Sequence, residues 1–440
     1  MRAIIRVSVA LIAALAAIVV SAFPAQATTA TVTVGLGPTI ITMNNAGTKA
    51  YVVNSATNSV SVINTATHAV VSSFSVGSVL DAAEITPDGS KILYSSMGHD
   101  AVSFVDLSTE VESSRLNIGG RPSGVAITSN GAKAYVSSYN SNQVAVVDLV
   151  NWTVLSHISV GVEPNGIDIS PDGTKVYVAN SASHTVSVIS TSTDTVTSTI
   201  SVPGYIWALQ FAPDGNRAYV TSQSDSILQV IDATNDTLIA NVPLDSGINN
   251  QNFVLVSADS SKIYVSNQSA NTVHVIDSTS FATLSTYTVS GATGMALTPA
   301  GDELYVSSAN NAEVHVFSQP TLATAAPVHA VAGSVFNFAI PGRNVTSYAV
   351  TAGALPTGLV LNPSSGAVTG VATQAGTYTF TITATGSPSV SRSYTVIVDA
   401  AGSLASTGLN EVVPIGVGTS MLILGAVFLL LRRHRASRVN

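Results

Sequence analysis

The sequence predicts an all-β fold in which seven similar sheets close into a ring and a smaller β-sandwich follows. Three observations lead to this prediction. A short phrase centred on Tyr-Val recurs seven times, each repeat holds four short segments of alternating apolar and polar residues, and the last repeat lacks its fourth segment. Period-two alternation rich in Val, Ile and Thr is typical of strands. Four strands in each repeat of this length are typical of a blade, so we predict a seven-bladed β-propeller.

The repeated phrase has the form Gly-x-x-x-Tyr-Val and returns at a nearly constant spacing. Successive copies begin 42, 42, 42, 42, 45 and 41 residues apart. At 171–173 and 213–215 the turn before the phrase reads Pro-Asp-Gly, in which glycine supplies the positive φ of a tight hairpin. The copies begin at Gly47, Gly89, Gly131, Gly173, Gly215, Ser260 and Gly301.

The two ends of the repeat array complement each other. The seventh repeat has three predicted strands and stops at 317–319, whereas an extra strand-like segment, ATVTVG at 30–35, precedes the first repeat. We predict that this segment supplies the fourth strand of the seventh sheet. It would pair two sheet edges that are otherwise open to aggregation.

The repeat resembles the YVTN-type propellers first recognised in surface-layer proteins. The resemblance covers roughly residues 30–319 and rests on the Tyr-Val phrases and the Pro-Asp-Gly turns. Leu93 replaces the tyrosine of the second copy, and Ser260 replaces the glycine of the sixth. The resemblance implies an extracellular propeller, whereas it implies little about activity because one fold serves many functions.

Composition excludes several classes of function. Only 9% of the 440 residues are charged and the formal net charge is -8, which argues against nucleic acid as a partner. The chain has no cysteine, so it has no disulfide, no thiolate metal site and no cysteine nucleophile.

Residues 1–27 have the three parts of a signal peptide. Arg2 and Arg6 precede an apolar stretch, and Ala25 and Ala27 occupy the positions that a signal peptidase reads. Cleavage after Ala27 would leave the closing strand next to the mature N-terminus. The alternative is a membrane anchor. We expect an exported protein.

A second all-β unit is expected at 327–399. An Ala-, Pro- and Thr-rich linker at 320–332 leads into it and overlaps its start. The segments at 355–370 and 375–386 resemble the Ig-like, cadherin-like modules of bacterial surface proteins. Calcium-binding relatives carry acidic ligands, which are nearly absent here before Asp399, so we expect no calcium site.

Residues 400–440 carry three features in a fixed order: an LASTG phrase, an apolar span at 412–431 and a basic end. About twenty residues at about 1.5 Å each cross the ~30 Å hydrocarbon core of a membrane. The terminal positive charges would hold the end on the cytoplasmic side. The phrase is carried by Leu404, Ala405, Thr407 and Gly408.

This order of features resembles a sortase sorting signal of the Leu-Ala-x-Thr-Gly form. The resemblance implies that a sortase cuts between Thr407 and Gly408 and joins the Thr407 carboxyl to an amine of the cell wall. The expected partners are therefore a sortase, peptidoglycan and, before sorting, the membrane. The alternative is a plain single-span anchor in which the phrase is accidental.

Candidate ligand-binding residues lie where the fourth strand of each blade leads into the next first strand, and on one face of that first strand. These connections are expected to converge on one mouth of the central channel. The longest repeat has its extra residues at 245–252, in the same kind of connection. The alternative is that the polar side chains only face water in the channel. The candidates are Asp81, Glu84, Arg121, Glu163, Asn165, Asp168, Tyr205 and Trp207.

Catalysis finds little support in the sequence. The histidines fall at different places in different blades, so they form no ring of metal ligands. Glu84 and Asp168 could pair as carboxylates, but they lie two blades apart. We expect no catalytic residue, no metal and no cofactor. The alternative is a propeller hydrolase or lyase, similar to the lactonases that act in the channel with a metal.

Together these features predict a protein displayed on the cell wall. The Ig-like unit would act as a stalk, and the propeller would bind a glycan, a peptide or another surface protein, or form part of the envelope. A second alternative is a single-span membrane protein without sortase processing.

Overall fold

The computed structural model describes residues 28–77, 80–113, 115–244, 253–323, 325–386 and 388–401. Among these residues nearly all regular structure is β-strand, and helix is limited to a 3-10 turn at Met97–His99. No helix in the described ranges is long and apolar enough to cross a membrane. The predicted signal peptide at 1–27, residues 245–252, and the predicted sorting signal and apolar span within 402–440 lie outside the described residues.

Seven antiparallel sheets follow one another along the chain. In the first six the strands pair in sequence order from the first to the outermost, and in the seventh the outermost strand comes from the N-terminal end of the chain. The outermost strand of the second blade is divided in two. In chain order the first four blades use β1 (Ala30–Thr33), which belongs to blade 7, β2 (Pro38–Met43), β3 (Lys49–Asn54), β4 (Ser59–Asn64), β5 (Ala69–Ser75), β6 (Leu80–Ile85), β7 (Lys91–Ser96), β8 (Ala101–Asp106), β9 (Val111–Glu112), β10 (Leu116–Asn117), β11 (Pro122–Ile127), β12 (Lys133–Ser138), β13 (Gln143–Asp148), β14 (Thr153–Ser159), β15 (Pro164–Ile169), β16 (Lys175–Asn180), β17 (Thr185–Ser190) and β18 (Thr195–Ser201). Blades 5 to 7 use β19 (Ile206–Phe211), β20 (Arg217–Ser222), β21 (Ile227–Asp232), β22 (Thr237–Pro243), β23 (Val254–Val256), β24 (Lys262–Asn267), β25 (Thr272–Asp277), β26 (Thr283–Thr288), β27 (Ala292–Leu297), β28 (Glu303–Ser308) and β29 (Glu313–Ser318).

The sheets form a closed ring. The first strand of every blade contacts the first strand of the next, and β27 of blade 7 contacts β2 of blade 1. Strand β1 pairs antiparallel with β29, from Ala30 opposite Val316 to Thr33 opposite Glu313. The predicted closure by an N-terminal strand is therefore confirmed, and it ties together residues almost 300 positions apart without a disulfide.

The core lies between neighbouring blades. Tyrosines of the repeated phrase are almost fully buried there. Between blades 4 and 5, for example, Tyr177 and Val188 pack with Leu209, Phe211 and Ile231. The alternation of apolar and polar residues along each strand places one apolar face on each side of the blade, and these faces stack from blade to blade.

A second, smaller unit follows the ring. Its buried residues form a separate core that includes Phe336, Phe380 and Tyr394. One sheet has the order β31-β38-β37-β34, a second has the order β32-β36-β35, and β30 pairs with β33. The strands are β30 (Thr321–Leu322), β31 (Val328–Val331), β32 (Val335–Ala339), β33 (Gly342–Arg343), β34 (Ser347–Gly353), β35 (Leu359–Leu361), β36 (Ala367–Val371), β37 (Gly376–Thr385) and β38 (Val390–Asp399).

This sandwich contacts the turns between the first and second strands of blades 6 and 7. A guanidinium nitrogen of Arg343 lies 2.5 Å from Asp302 Oδ2, and Arg392 Nη2 lies 3.5 Å from Asp259 Oδ2. Asn344 Nδ2 donates to the carbonyl oxygens of Asp302, at 3.0 Å, and of Gln319, at 2.8 Å. The first strands run from the channel mouth to these turns, so the sandwich is attached to the opposite face of the ring from the mouth.

Candidate ligand-binding channel

A cavity of about 510 Å³ runs along the first strands in the middle of the ring. Its lining includes five of the eight candidate residues named from the sequence. Arg121, Glu163 and Tyr205 do not line it and lie in the turns beside it. The five lining candidates are Asp81, Glu84, Asn165, Asp168 and Trp207.

A β-bulge at the start of several first strands positions the residues at the mouth. The register shifts between Pro164 and Ile167 in blade 4 and between Ile206 and Leu209 in blade 5. A bulge changes the direction of side chains and increases the local twist. Asn165 and Trp207 lie within these bulges, which explains why both reach the cavity although strict alternation would not predict it.

Close approach of neighbouring first strands also shapes the channel. A Cβ added to Gly166 would lie 2.5 Å from the carbonyl oxygen of Trp207 and 2.8 Å from the amide nitrogen of Leu209. Such distances are too short for any side chain. The equivalent glycine of blade 3, Gly124, is equally close to the carbonyl oxygen of Asn165, at 2.4 Å. Glycine at this position therefore permits the ring to be as narrow as it is.

The three candidates outside the cavity form a connected cluster with Tyr139. The Tyr205 hydroxyl donates to Glu163 Oε2 at 2.7 Å, and the hydroxyls of Tyr139 and Tyr205 are 2.7 Å apart. The guanidinium of Arg121 lies 5.1 Å from the centre of the Tyr139 ring, within the range of a cation–π contact. Because these groups bind one another, we interpret the cluster as a brace across blades 3 to 5.

Tyr139 was missed by the sequence analysis. It follows the repeated phrase directly and lies in the turn between the second and third strands, which is on the same face as the mouth. Its backbone N–H donates to the carbonyl of Arg121 at 3.0 Å. The signal that could have found it is the equivalent position after each phrase, whose backbone N–H binds the connection entering the same blade in blades 1, 3, 4, 5 and 7.

Deeper in the channel, three equivalent side chains accept backbone N–H groups from the next blade. Ile127 N–H donates to Glu84 Oε2 at 3.0 Å, and Phe211 N–H donates to Asp168 Oδ2 at 2.7 Å. The N–H of Val256 donates to Gln210 Oε1 at 2.9 Å. These side chains therefore join first strands to each other, a role that the sequence analysis did not assign to them.

Burial raises the pKa values of the channel carboxyls. It raises the pKa of Asp81 to about 6, although the nearby Arg121 lowers it, and the pKa of Asp168 to about 6, although two backbone N–H groups lower it. Burial and the charge of Asp168 raise the pKa of Glu84 well above its usual range. A site with three such carboxyls disfavours anions.

Two polar atoms beside the cavity have no partner among the described residues. They are Nδ2 of Asn165, a residue only 7% exposed, and Oγ1 of Thr39. The main chain of Asn165 is fixed, since its carbonyl accepts a hydrogen bond from Ser137 Oγ at 2.6 Å. Trp207, also in the lining, is partly exposed. An indole surface beside unpaired polar atoms suits an uncharged ligand with hydroxyl or carbonyl groups.

Within the described ranges, no three His, Asp or Glu side chains lie close enough together to hold one metal ion. Two of the histidines instead contact carboxylates or carbonyls of the fold. His68 Nε2 lies 3.0 Å from Glu303 Oε1, and His157 Nε2 lies 3.2 Å from the carbonyl of Ile118.

Comparisons with known proteins agree with this architecture. Residues 20–201 match the family of lactonases with a 7-bladed β-propeller, and residues 125–309 match the YNCE-like β-propellers. Residues 319–399 match the family described as "Putative Ig domain". A comparison with curated protein sequences finds no significant match.

Among solved structures, hydrazine synthase from Kuenenia stuttgartiensis is similar to this chain. The two are 21% identical with a TM-score of 0.58, and the match covers 64% of this chain and 96% of the other. At this identity the similarity shows the fold alone. The comparisons confirm a β-propeller with a C-terminal Ig-like unit, whereas the narrower resemblance to YVTN-type propellers and the sorting signal remain predictions.

Proposed function

We propose that this protein is displayed on a cell wall and binds an uncharged extracellular ligand, foremost a glycan, at the mouth of its propeller. The observation that carries the proposal is the position of Trp207, partly exposed in a cavity whose mouth lies on the opposite face from the Ig-like unit. A stalk attached to the far side leaves the mouth open to the surroundings.

The chemistry of the lining supports this ligand class. The carboxyls of Asp81, Glu84 and Asp168 disfavour an anion, and the unpaired Asn165 amide can satisfy an oxygen of a sugar or a peptide. A sugar ring can place its apolar face on the Trp207 indole while its hydroxyls meet these groups. A peptide or another surface protein is a less favoured ligand of the same mouth.

Binding is tested on a glycan array with the purified chain and two variants. Trp207→Ala should lose at least tenfold in affinity, which corresponds to about 1.4 kcal/mol. Trp152→Ala is the matched control, because Trp152 packs against Phe104 with ring centres 4.4 Å apart, away from the channel lining. Equal binding by all three proteins would contradict the proposed site. No binding by the parent chain would leave only the role in the envelope.

The proposal of wall attachment rests on the order of signal peptide, propeller, Ig-like unit, LASTG phrase and apolar span in the sequence. Mass spectrometry of the C-terminal peptide, after release with a muralytic enzyme, tests it. We expect the peptide to end at Thr407 with a wall-peptide adduct. A peptide that continues through Arg432 would instead support a single-span membrane protein.

A hydrolase is the second candidate, and the lactonase family match over residues 20–201 favours it. Glu84 and Asp168 are the groups to test, because a raised pKa suits a carboxyl that gives up a proton near neutral pH. The test is turnover of lactones by the purified chain with divalent metals supplied, together with its metal content. Activity lost in Glu84→Gln would support this candidate, whereas no turnover and no stoichiometric metal would end it.

A further inference from the structure

The residue two positions before the repeated tyrosine, or before Leu93 in blade 2, is charged in every blade, and in four blades it has a partner in the next blade. In blade 3, Lys133 Nζ lies 2.8 Å from Asp194 Oδ2, which belongs to the outer turn of blade 4. In blade 4, Lys175 Nζ lies 2.7 Å from Asp236 Oδ1 in the outer turn of blade 5. The seven residues are Lys49, Lys91, Lys133, Lys175, Arg217, Lys262 and Glu303.

Lys262 of blade 6 has lost this partner because of the way the ring closes. Blade 7 takes its outermost strand from the N-terminus, so it has no turn between a third and a fourth strand. The chain instead leaves β29 at Ser318 and enters the Ig-like unit. Lys262 is only 8% exposed, and in the described part of the chain its amine makes no hydrogen bond and no ion pair, whereas its backbone N–H binds Ser257 Oγ. A buried ammonium without a partner is costly.

Lys262 borders a second cavity, of about 580 Å³, between the propeller and the Ig-like unit. Arg343 and Arg392 line the same cavity from the Ig-like side. Their partners are Asp302 and Asp259, respectively. Three cationic side chains thus meet two carboxylates, which leaves one positive charge in a partly enclosed space.

We propose that this cavity binds a small oxyanion, of the carboxylate or phosphate type, with Lys262 as its main partner. The anion takes the place of the aspartate that the equivalent lysines of blades 3 and 4 bind. Arg343 and Arg392 lie within the same cavity and provide further donors. Because these residues belong to both units, a bound anion joins the propeller to the Ig-like unit.

The effect of burial on the pKa of Lys262 is consistent with a cation that lacks an anionic partner in this cavity. Burial lowers the pKa of Lys262, and the charge of Asp259 opposes this effect only in part. A bound anion would restore the pKa toward its usual value and would hold the amine protonated. Free Lys262 should therefore react with neutral acylating reagents faster than the lysines that are paired with aspartate.

The experiment measures acylation of each lysine in the purified full chain by the acetyl ester of N-hydroxysuccinimide, a neutral reagent, followed by peptide mass spectrometry. Inorganic phosphate, acetate and chloride are compared at equal ionic strength, so that a tetrahedral and a planar oxyanion are distinguished. We expect phosphate or acetate to slow acylation of Lys262 at least fivefold relative to chloride. Acylation of Lys133, which is paired with Asp194, should not change.

Thermal unfolding of three proteins provides a second, independent readout. The oxyanion that protects Lys262 should raise the melting temperature of the parent chain and of Lys133→Met, but not that of Lys262→Met. Loss of the oxyanion effect in Lys262→Met alone supports the site. Equal effects of the oxyanions and chloride on Lys262 acylation, or an anion effect that survives in Lys262→Met, would overturn the proposal. Neither result depends on whether the channel mouth binds a glycan.

Discussion

The contact between the repeated tyrosine and the outer turn of the next blade gives the sharpest prediction for stability. Tyr177 is fully buried, and its hydroxyl donates to Asp236 of the following blade. Lys175 binds the same carboxylate. Tyr264, two blades later, is as deeply buried, but its hydroxyl donates to the neutral amide oxygen of Gln319 at 3.3 Å.

Tyr177→Phe should therefore destabilise the protein more than Tyr264→Phe. A hydrogen bond to a charged group is worth about 1.5–3 kcal/mol, and one between neutral groups about 1 kcal/mol. We expect a loss of about 2 kcal/mol for Tyr177→Phe and about 1 kcal/mol or less for Tyr264→Phe. The comparison is matched because both changes remove one hydroxyl from the same position of a blade.

A double-mutant cycle isolates the contact itself. The second change is Asp236→Asn rather than Asp236→Ala, because Asp236 has a φ of 55°, which asparagine adopts more readily than alanine. We expect a coupling free energy of about 1 kcal/mol between Tyr177→Phe and Asp236→Asn. Urea unfolding followed by tryptophan fluorescence gives the free energies. Equal losses in the two tyrosine variants, together with a coupling below about 0.3 kcal/mol, would refute the reasoning.

Three further predictions concern the channel and the junction with the Ig-like unit. Gly166→Ala should lower the free energy of unfolding, measured in urea, by about 2 kcal/mol, because the added Cβ would contact the backbone of the next blade. Ala208→Gly, at the equivalent position of blade 5, should lower it by less than about 1 kcal/mol. The pKa of Asp81 is raised from 3.8 to about 6, so protonation of Asp81 favours the folded state and the free energy of unfolding should fall as pH rises through this interval. Asp81→Asn should remove about 1 kcal/mol of that fall, after allowance for solvent in the channel. An unchanged dependence of the unfolding free energy on pH would contradict this prediction. Replacing Arg343 by alanine and Asn344, which has a φ of 55°, by glycine should speed proteolysis of the linker after blade 7 several-fold without moving the urea midpoint of the propeller. An unchanged cleavage rate would mean that other contacts hold the junction.

The number of blades and the way the ring closes could be predicted from the sequence because both depend on local information. The spacing of the Tyr-Val phrase fixes the repeat, alternation fixes the strand, and a missing strand at one end matches a spare strand at the other. The pairing of β1 with β29 confirms this reasoning. The Ig-like unit was predicted from the resemblance of two of its segments to Ig-like modules, and a separate all-β unit is present there in the structure.

Leu93, which replaces the tyrosine in the second copy of the phrase, shows what such local reasoning leaves unexplained. In the sequence, Leu93 is only an imperfect copy of the tyrosine. In the structure, the outer turn of the next blade carries Trp152 where blades 4 and 5 carry aspartate, and Trp152 packs with Phe104 beside Leu93. Leu93 therefore lies in an apolar contact with the next blade, where the equivalent tyrosines of blades 3 and 4 bind an aspartate.

The sequence by itself determined the number of blades, the closing strand and the group of blades that carry the candidate ligand-binding residues. Only the tertiary structure decided which candidates line the channel, since a bulge turns Asn165 and Trp207 toward the cavity while hydrogen bonds hold Glu163 and Tyr205 in the brace beside it. It also decided that no aspartate of the next blade is paired with Lys262. The physical reason is that repeats specify contacts within a blade, whereas side-chain partners are chosen between blades, by residues about 40 positions or more apart in the chain.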